Sequence, residues 1–178
     1  MNIDKIINNG IYFYELMRKN ENARFKSWEH CYKSFKLAYK NNNLNNECID
    51  YLCLQLSFYL ASWGMYRGSS FLLGYDYKIH KPVVELLFKY KSLWDIKIEK
   101  DKDQDLNWFY TDLFNLIDEI KEYYSKKREL IKKENSPKKE ISDTLVSKIL
   151  LGTIGCIPAY DRYFISGISN SNNLFTNP

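Results

Sequence analysis

An acid and a guanidinium, each set among apolar neighbours, are the groups of this chain best suited to chemistry. Arg67 follows a long apolar run and sits among Gly64, Gly68, Ser69, Ser70 and Gly74. An unpaired buried cation is strongly unfavourable, so this position asks for a carboxylate, carbonyls or a bound anion. An internal ion pair with Asp161 or Asp76 would satisfy it. A cleft holding a phosphate or carboxylate would make Arg67 a ligand-binding residue instead. Asp161 stands in AYDRYF, just after Pro158. If Pro158 opens a short last helix, Asp161 falls in its first turn, where free N–H groups and the helix dipole stabilise an anion. That is a structural role in itself, and a catalytic one if the carboxylate faces a reacting centre.

Further cations are Lys148, Arg162 and the cluster Lys126, Lys127 and Arg128, which opens a basic patch running to Lys139. They are the candidate substrate- or phosphate-binding groups. The stretch from Lys121 to Glu140 holds eight basic and four acidic residues, an excess equal to the net +4 of the whole chain. That mild excess permits an acidic partner without demanding one. The lysines of the second helix pattern read as a solvated face.

Other chemistry has little to stand on. His30 and His80 are far apart, and His80 reads as a loop or capping residue. Cys31, Cys48, Cys53 and Cys156 make no CxxC pair. They fit reduced, buried thiols of a cytoplasmic protein. A zinc site from His30, Cys31, Cys48 and Cys53 is disfavoured, because His30 and Cys31 point to different faces of one helix. No phosphate-binding loop, dinucleotide fingerprint, nucleophile elbow or HExxH is present. No metal and no cofactor is expected. The N-terminus MNIDKIINNG lacks a basic region followed by an apolar run, so no signal peptide is read.

The positioning elements are expected to be all helical: a single compact domain of about seven or eight helices over residues 1–168, with a polar tail at 169–178. The chain has 178 residues, 45% apolar, enough for one core without disulfides or metals. Its 15 Tyr, 10 Phe and 4 Trp mean that much of the core must be rings. The centre is CIDYLCLQLSFYLASWGMYRGSSFLLG, residues 48–74. Ile49, Leu52, Cys53, Leu56, Leu60 and Trp63 make one face, and Tyr51, Leu54, Phe58, Tyr59, Ala61 and Met65 cover most of the rest. A helix apolar nearly all round is buried. Asp50, Gln55 and Arg67 argue for a protein core rather than a membrane.

Around it the spacing predicts helices over 3–19 (Ile3, Ile6, Ile7, Ile11, Tyr14, Met17 inward) and 23–40 (Phe25, Trp28, Tyr32, Phe35, Tyr39 inward). A further helix opens at Lys81-Pro82, with Val83, Leu86, Leu87, Tyr90 and Trp94 inward. A long helix is expected over 105–134, with Leu106, Tyr110, Leu113, Ile117, Ile120 and Tyr124 inward. Helices over 142–151 and 158–167 follow.

The segment DTLVSKILLGTIGCIPAYDRYFI, residues 143–165, resembles the end of the helix-hairpin-helix module of base-excision DNA glycosylases. In that family a helix leads through a turn to a catalytic Asp near the start of another helix. Asp161 matches that Asp, and Thr144–Leu151 matches the preceding helix. The likeness covers about 25 residues. Glu140-Ile141-Ser142 stands where the hairpin glycines would be, and the lysine of bifunctional members would fall near Asp143, so Schiff-base chemistry is not implied. The resemblance implies a monofunctional hydrolase acting on a flipped nucleotide, with Asp161 stabilising a cationic sugar.

Three classes therefore stay open. One is a nucleic-acid-binding or DNA-processing protein, glycosylase-like around Asp161. Another is a protein–protein interaction module of regulatory or defence type. The third is a small-molecule enzyme with an aromatic pocket around Arg67 and Asp161. A basic surface, an exposed apolar patch and a closed polar-lined pocket distinguish them.

Overall fold

Asn45 opens the central helix: its side-chain oxygen accepts the Cys48 N–H at 2.8 Å, a standard N-cap. In the computed structural model, which describes residues 3–95, 106–131 and 140–171, this helix is the third of seven α-helices. They are α1 (Ile3–Lys19), α2 (Lys26–Lys40), α3 (Asn46–Ser62), α4 (Lys81–Lys89), α5 (Asn107–Leu130), α6 (Asp143–Thr153) and α7 (Arg162–Ser171). No strand occurs among the described residues. The fold is all-α, with short 3₁₀ turns at Phe71–Gly74, Tyr77–His80 and Lys91–Leu93.

α3 packs against α2, α4, α6 and the Tyr77–His80 turn, while α5 lies on α4 and touches α6. Ile49, Leu52, Cys53, Leu56, Tyr59 and Leu60 form its buried face. The expectation of burial all round is corrected by the opposite side. Tyr51, Leu54 and Phe58 are solvent-exposed, Phe58 by 60%. Neighbouring helices cover one face only.

Aromatic side chains staple the helices by their polar tips. Tyr59 Oη donates to the Lys148 carbonyl (3.1 Å), and Trp28 Nε1 to the Leu151 carbonyl (3.1 Å), both on α6. Tyr123 donates to Ile79 O and Tyr75 to Lys127 O. Trp28 also stacks on Tyr32 with ring centroids 5.7 Å apart. The rings thus fill the core and satisfy backbone oxygens together.

Several stripes are rotated from the expected ones. On α2 the fully buried positions are Ser27, Cys31, Phe35 and Ala38. Trp28 and Tyr39 sit at the core's edge, where the indole N–H and phenol O–H reach polar partners. On α5 the buried line is Leu113, Leu116, Ile120 and Tyr124, leaving Tyr110 exposed. Among the described side chains of α1, only Met17 is buried; Ile7, Ile11 and Tyr14 face outward, since no described element covers them. Pro82 begins α4 as expected, but that helix ends at Lys89 and Trp94 comes from a separate turn.

The C-terminal helices also differ. α6 runs on through Gly152, which is pressed against the Tyr59 ring, and stops at Gly155, whose φ of +76° suits a residue without Cβ. Pro158 does not start a helix. Residues 158–160 are non-helical, and α7 begins only after Asp161.

Candidate functional site

Asp161 is the residue before α7 rather than one within its first turn. Its Oδ1 accepts the N–H groups of Tyr163 (3.0 Å) and Phe164 (3.1 Å), so the carboxylate caps the helix. Tyr160, just before it, is held on α6 from both sides: Ser147 Oγ accepts its N–H at 2.8 Å, and its carbonyl accepts Thr144 Oγ1 at 2.8 Å.

Arg67 is exposed, against the expectation of a buried cation. α3 ends in a left-handed glycine turn, with Gly64 at φ +78° and the Met65 N–H on Leu60 O at 2.8 Å. The Arg67 side chain folds back over that glycine, where an added Cβ would lie 3.1 Å from the guanidinium carbon. Neither expected carboxylate pairs with it. Asp161 caps α7, and Asp76 Oδ1 accepts the Lys78 N–H to cap a 3₁₀ turn.

Lys148 is only 6% exposed, so it lies inside rather than on a phosphate-facing surface. Its Nζ donates to the Trp63 carbonyl at 3.0 Å, 6.0 Å from the indole centroid. Burial lowers its pKa, Asp161 raises it, and Arg67 and Arg24 lower it further. Arg67, Arg24 and Asp161 therefore share one electrostatic neighbourhood around this ammonium.

The remaining cations are dispersed. Lys126 pairs with Glu122 at 2.6 Å, Lys127 lies 5.8 Å from the Tyr123 ring centroid, and Arg162 lies over Tyr163 at 4.8 Å. Arg128 Nη1 donates to the Glu140 carbonyl at 3.2 Å. The basic residues at 132–139 lie outside the described residues.

Two concavities flank the strand of chain from Glu140 to Ser142, which leads into α6. The first, about 330 Å³, is lined by Arg67, Ser69, Ser70, Arg128, Glu140 and Ser142 over an apolar floor that includes Met65 and Phe71. The second, about 680 Å³, lies between α5, α6 and residues 157–165. Phe114, Ile117, Val146, Ile157, Tyr160 and Ile165 supply its apolar surface; Asp118, Glu140 and Asp143 supply carboxylates. Lys121 Nζ meets Asp143 Oδ1 at 2.6 Å on its rim.

No family model, curated protein or solved structure matches the chain.

His80 belongs to neither concavity. It occupies the N-cap position of α4, yet its ring is fully buried. Nε2 lies 2.7 Å from Tyr66 Oη and Nδ1 lies 2.5 Å from Tyr124 Oη. Burial pushes its pKa down to about 3, so the ring is neutral. One nitrogen donates and the other accepts. Tyr66, His80 and Tyr124 are far apart in sequence, so no local spacing could have announced the network. Ser142 was more legible, since a Ser before an apolar helical pattern is an ordinary N-cap signal, and its Oγ does accept the Leu145 N–H.

Proposed function

We propose that this protein is a helical docking module that holds a basic amphipathic helix of another protein in the groove between α5, α6 and α7. The observation that carries the reading is the groove's composition. Phe114, Ile165 and Tyr160 are 59%, 52% and 42% exposed around a concave apolar floor. Large apolar side chains gathered in a groove are the usual receptor for the apolar face of a helix. The rim sets the charge of that helix. Among the described residues of the lining, three carboxylates face a single ammonium, Lys121, already paired with Asp143. Lysines or arginines flanking the partner's apolar stripe would meet Asp118 and Glu140.

Fluorescence anisotropy with a labelled leucine–lysine amphipathic peptide, beside the same peptide with glutamate for lysine, tests this. The basic peptide is expected to bind, and Phe114→Ser or Ile165→Ser to weaken it ~10-fold or more. Equal binding of both peptides, or no effect of either substitution, would sink the reading.

A second reading keeps Asp161 as the key carboxylate of a glycosylase-like hydrolase. It is supported by the place of Asp161 at the start of a helix that follows α6 through a turn, in the electrostatic reach of Lys148. Asp161→Asn tests it cleanly, because Asn caps helices about as well as Asp. Loss of cleavage of a duplex carrying a modified base, with stability retained, is the expected result. Unchanged cleavage would reject a catalytic Asp161.

A further inference from the structure

We infer that the smaller cleft is a binding site for a compact phosphomonoester, gripped by Arg67 and Arg128. It lies across residues 140–142 from the groove proposed for a partner helix, shares those wall residues with it, and does not depend on that reading.

The two guanidinium groups come from the turn after α3 and from the last turn of α5, and the fold brings both to one concavity. Arg67 makes no hydrogen bond or ion pair among the described residues, although it lies in a cleft with hydroxyls around it. The Lys148 ammonium feels Arg67 and Arg24 as like charges and Asp161 as an opposite one. Three cations against one acid leave a net positive potential there, which favours an anion. Arg128 lines the cleft with Nη1 donating to the Glu140 carbonyl at 3.2 Å. A guanidinium fork matches the oxygens of phosphate as a set, not as a point charge.

The rest of the lining selects within anions. Ser142 and Leu145 bring the positive end of the eleven-residue α6 to the wall. Ser69 adds a hydroxyl, and Ser70 a second whose oxygen also caps a 3₁₀ turn by accepting the Leu72 N–H. Two guanidinium charges suit a dianion better than a lone carboxylate. Glu140 is the one acid among the described residues of the lining. It opposes a polyanion running through the cleft, but it can accept a hydroxyl carried next to the phosphate. A volume of about 330 Å³ suits a small ester rather than a long chain.

Isothermal titration with inorganic phosphate, glycerol 3-phosphate, glycerol and a single-stranded oligonucleotide separates the possibilities. Phosphate is expected to bind, glycerol 3-phosphate to bind more tightly, and glycerol not at all. Arg67→Ala should weaken phosphate ~10-fold or more without altering the circular dichroism spectrum, since the side chain holds no internal bond. Arg128→Lys, which keeps the charge and loses the fork, should weaken it less. Phe114→Ser, in the other groove, should leave phosphate binding unchanged. The inference fails if phosphate and its ester do not bind, if Arg67→Ala binds them as the parent does, or if only the oligonucleotide binds.

Discussion

His80 sets an acid limit on this protein through one ring. Burial depresses its pKa from the ordinary 6.5 to about 3, while the unfolded chain keeps the ordinary value. Between those pH values the unfolded state binds more protons than the folded state. Stability attributable to His80 is therefore complete above pH 6.5 and lost as pH falls from there toward 3. The slope from one such group is at most about 1.4 kcal/mol per pH unit. His80→Gln removes the titration while leaving a donor and an acceptor between Tyr66 and Tyr124. Urea unfolding of both proteins at about pH 7 and about pH 5 isolates the effect, with the parent expected to lose more stability than the variant. Equal losses would mean that the ring is charged, or solvated, in the folded protein. The thiols are similarly withdrawn by burial, Cys53 up to about 12 and Cys31 higher still. They act as small apolar residues of the α2–α3 interface.

Between elements, the closest fit is that of α3 on α6. A Cβ at Gly152 would stand 2.3 Å from Cε1 of the Tyr59 ring. That ring is fully buried and tied to α6 through the Lys148 carbonyl, so it cannot step aside. Alanine in a helix interior gains about 1 kcal/mol over glycine when space is free. Here the overlap should dominate, and Gly152→Ala should lower stability by ~1–3 kcal/mol. Gly10 in α1 meets nothing within 4 Å, so the same exchange there should be neutral or stabilising. Opposite signs in the two urea midpoints would confirm that contact with α3 decides the matter; matching gains would show that α6 can move away from Tyr59.

Across the molecule, what the sequence made legible followed from local chemistry. Pro82 marked a helix start, and the helix expected from 142 begins one residue later behind its Ser142 cap, because capping and fixed φ act over a few residues. The inner faces of α2 and α5 were less legible. Tyr and Trp count as apolar in a periodic pattern, yet their polar tips draw them to the core's edge, as with Trp28 and Tyr39. The outward apolar face of α1 shows the same limit, since spacing reports an apolar side but not whether anything covers it. At the candidate sites, Arg67 and Arg128 were readable as anion-seeking cations, whereas their meeting beside Glu140 depends on tertiary packing. Lys148 was misplaced for a related reason: a lysine in an apolar helix can turn its ammonium inward when a carbonyl such as that of Trp63 awaits it.

The indole bond from Trp28 to Leu151 has an optical consequence. Trp28 stands at the joint of α2 and α6, stacked on Tyr32 with its N–H engaged. Trp94 stands similarly between α2 and α4, stacked on Tyr39 with its N–H on the Leu87 carbonyl. With Trp63, Trp108 and one of this pair replaced by Phe, the emission of the one left follows the parting of a single seam. Intrinsic fluorescence can therefore tell whether the bundle opens at one joint before the other, with no dye attached.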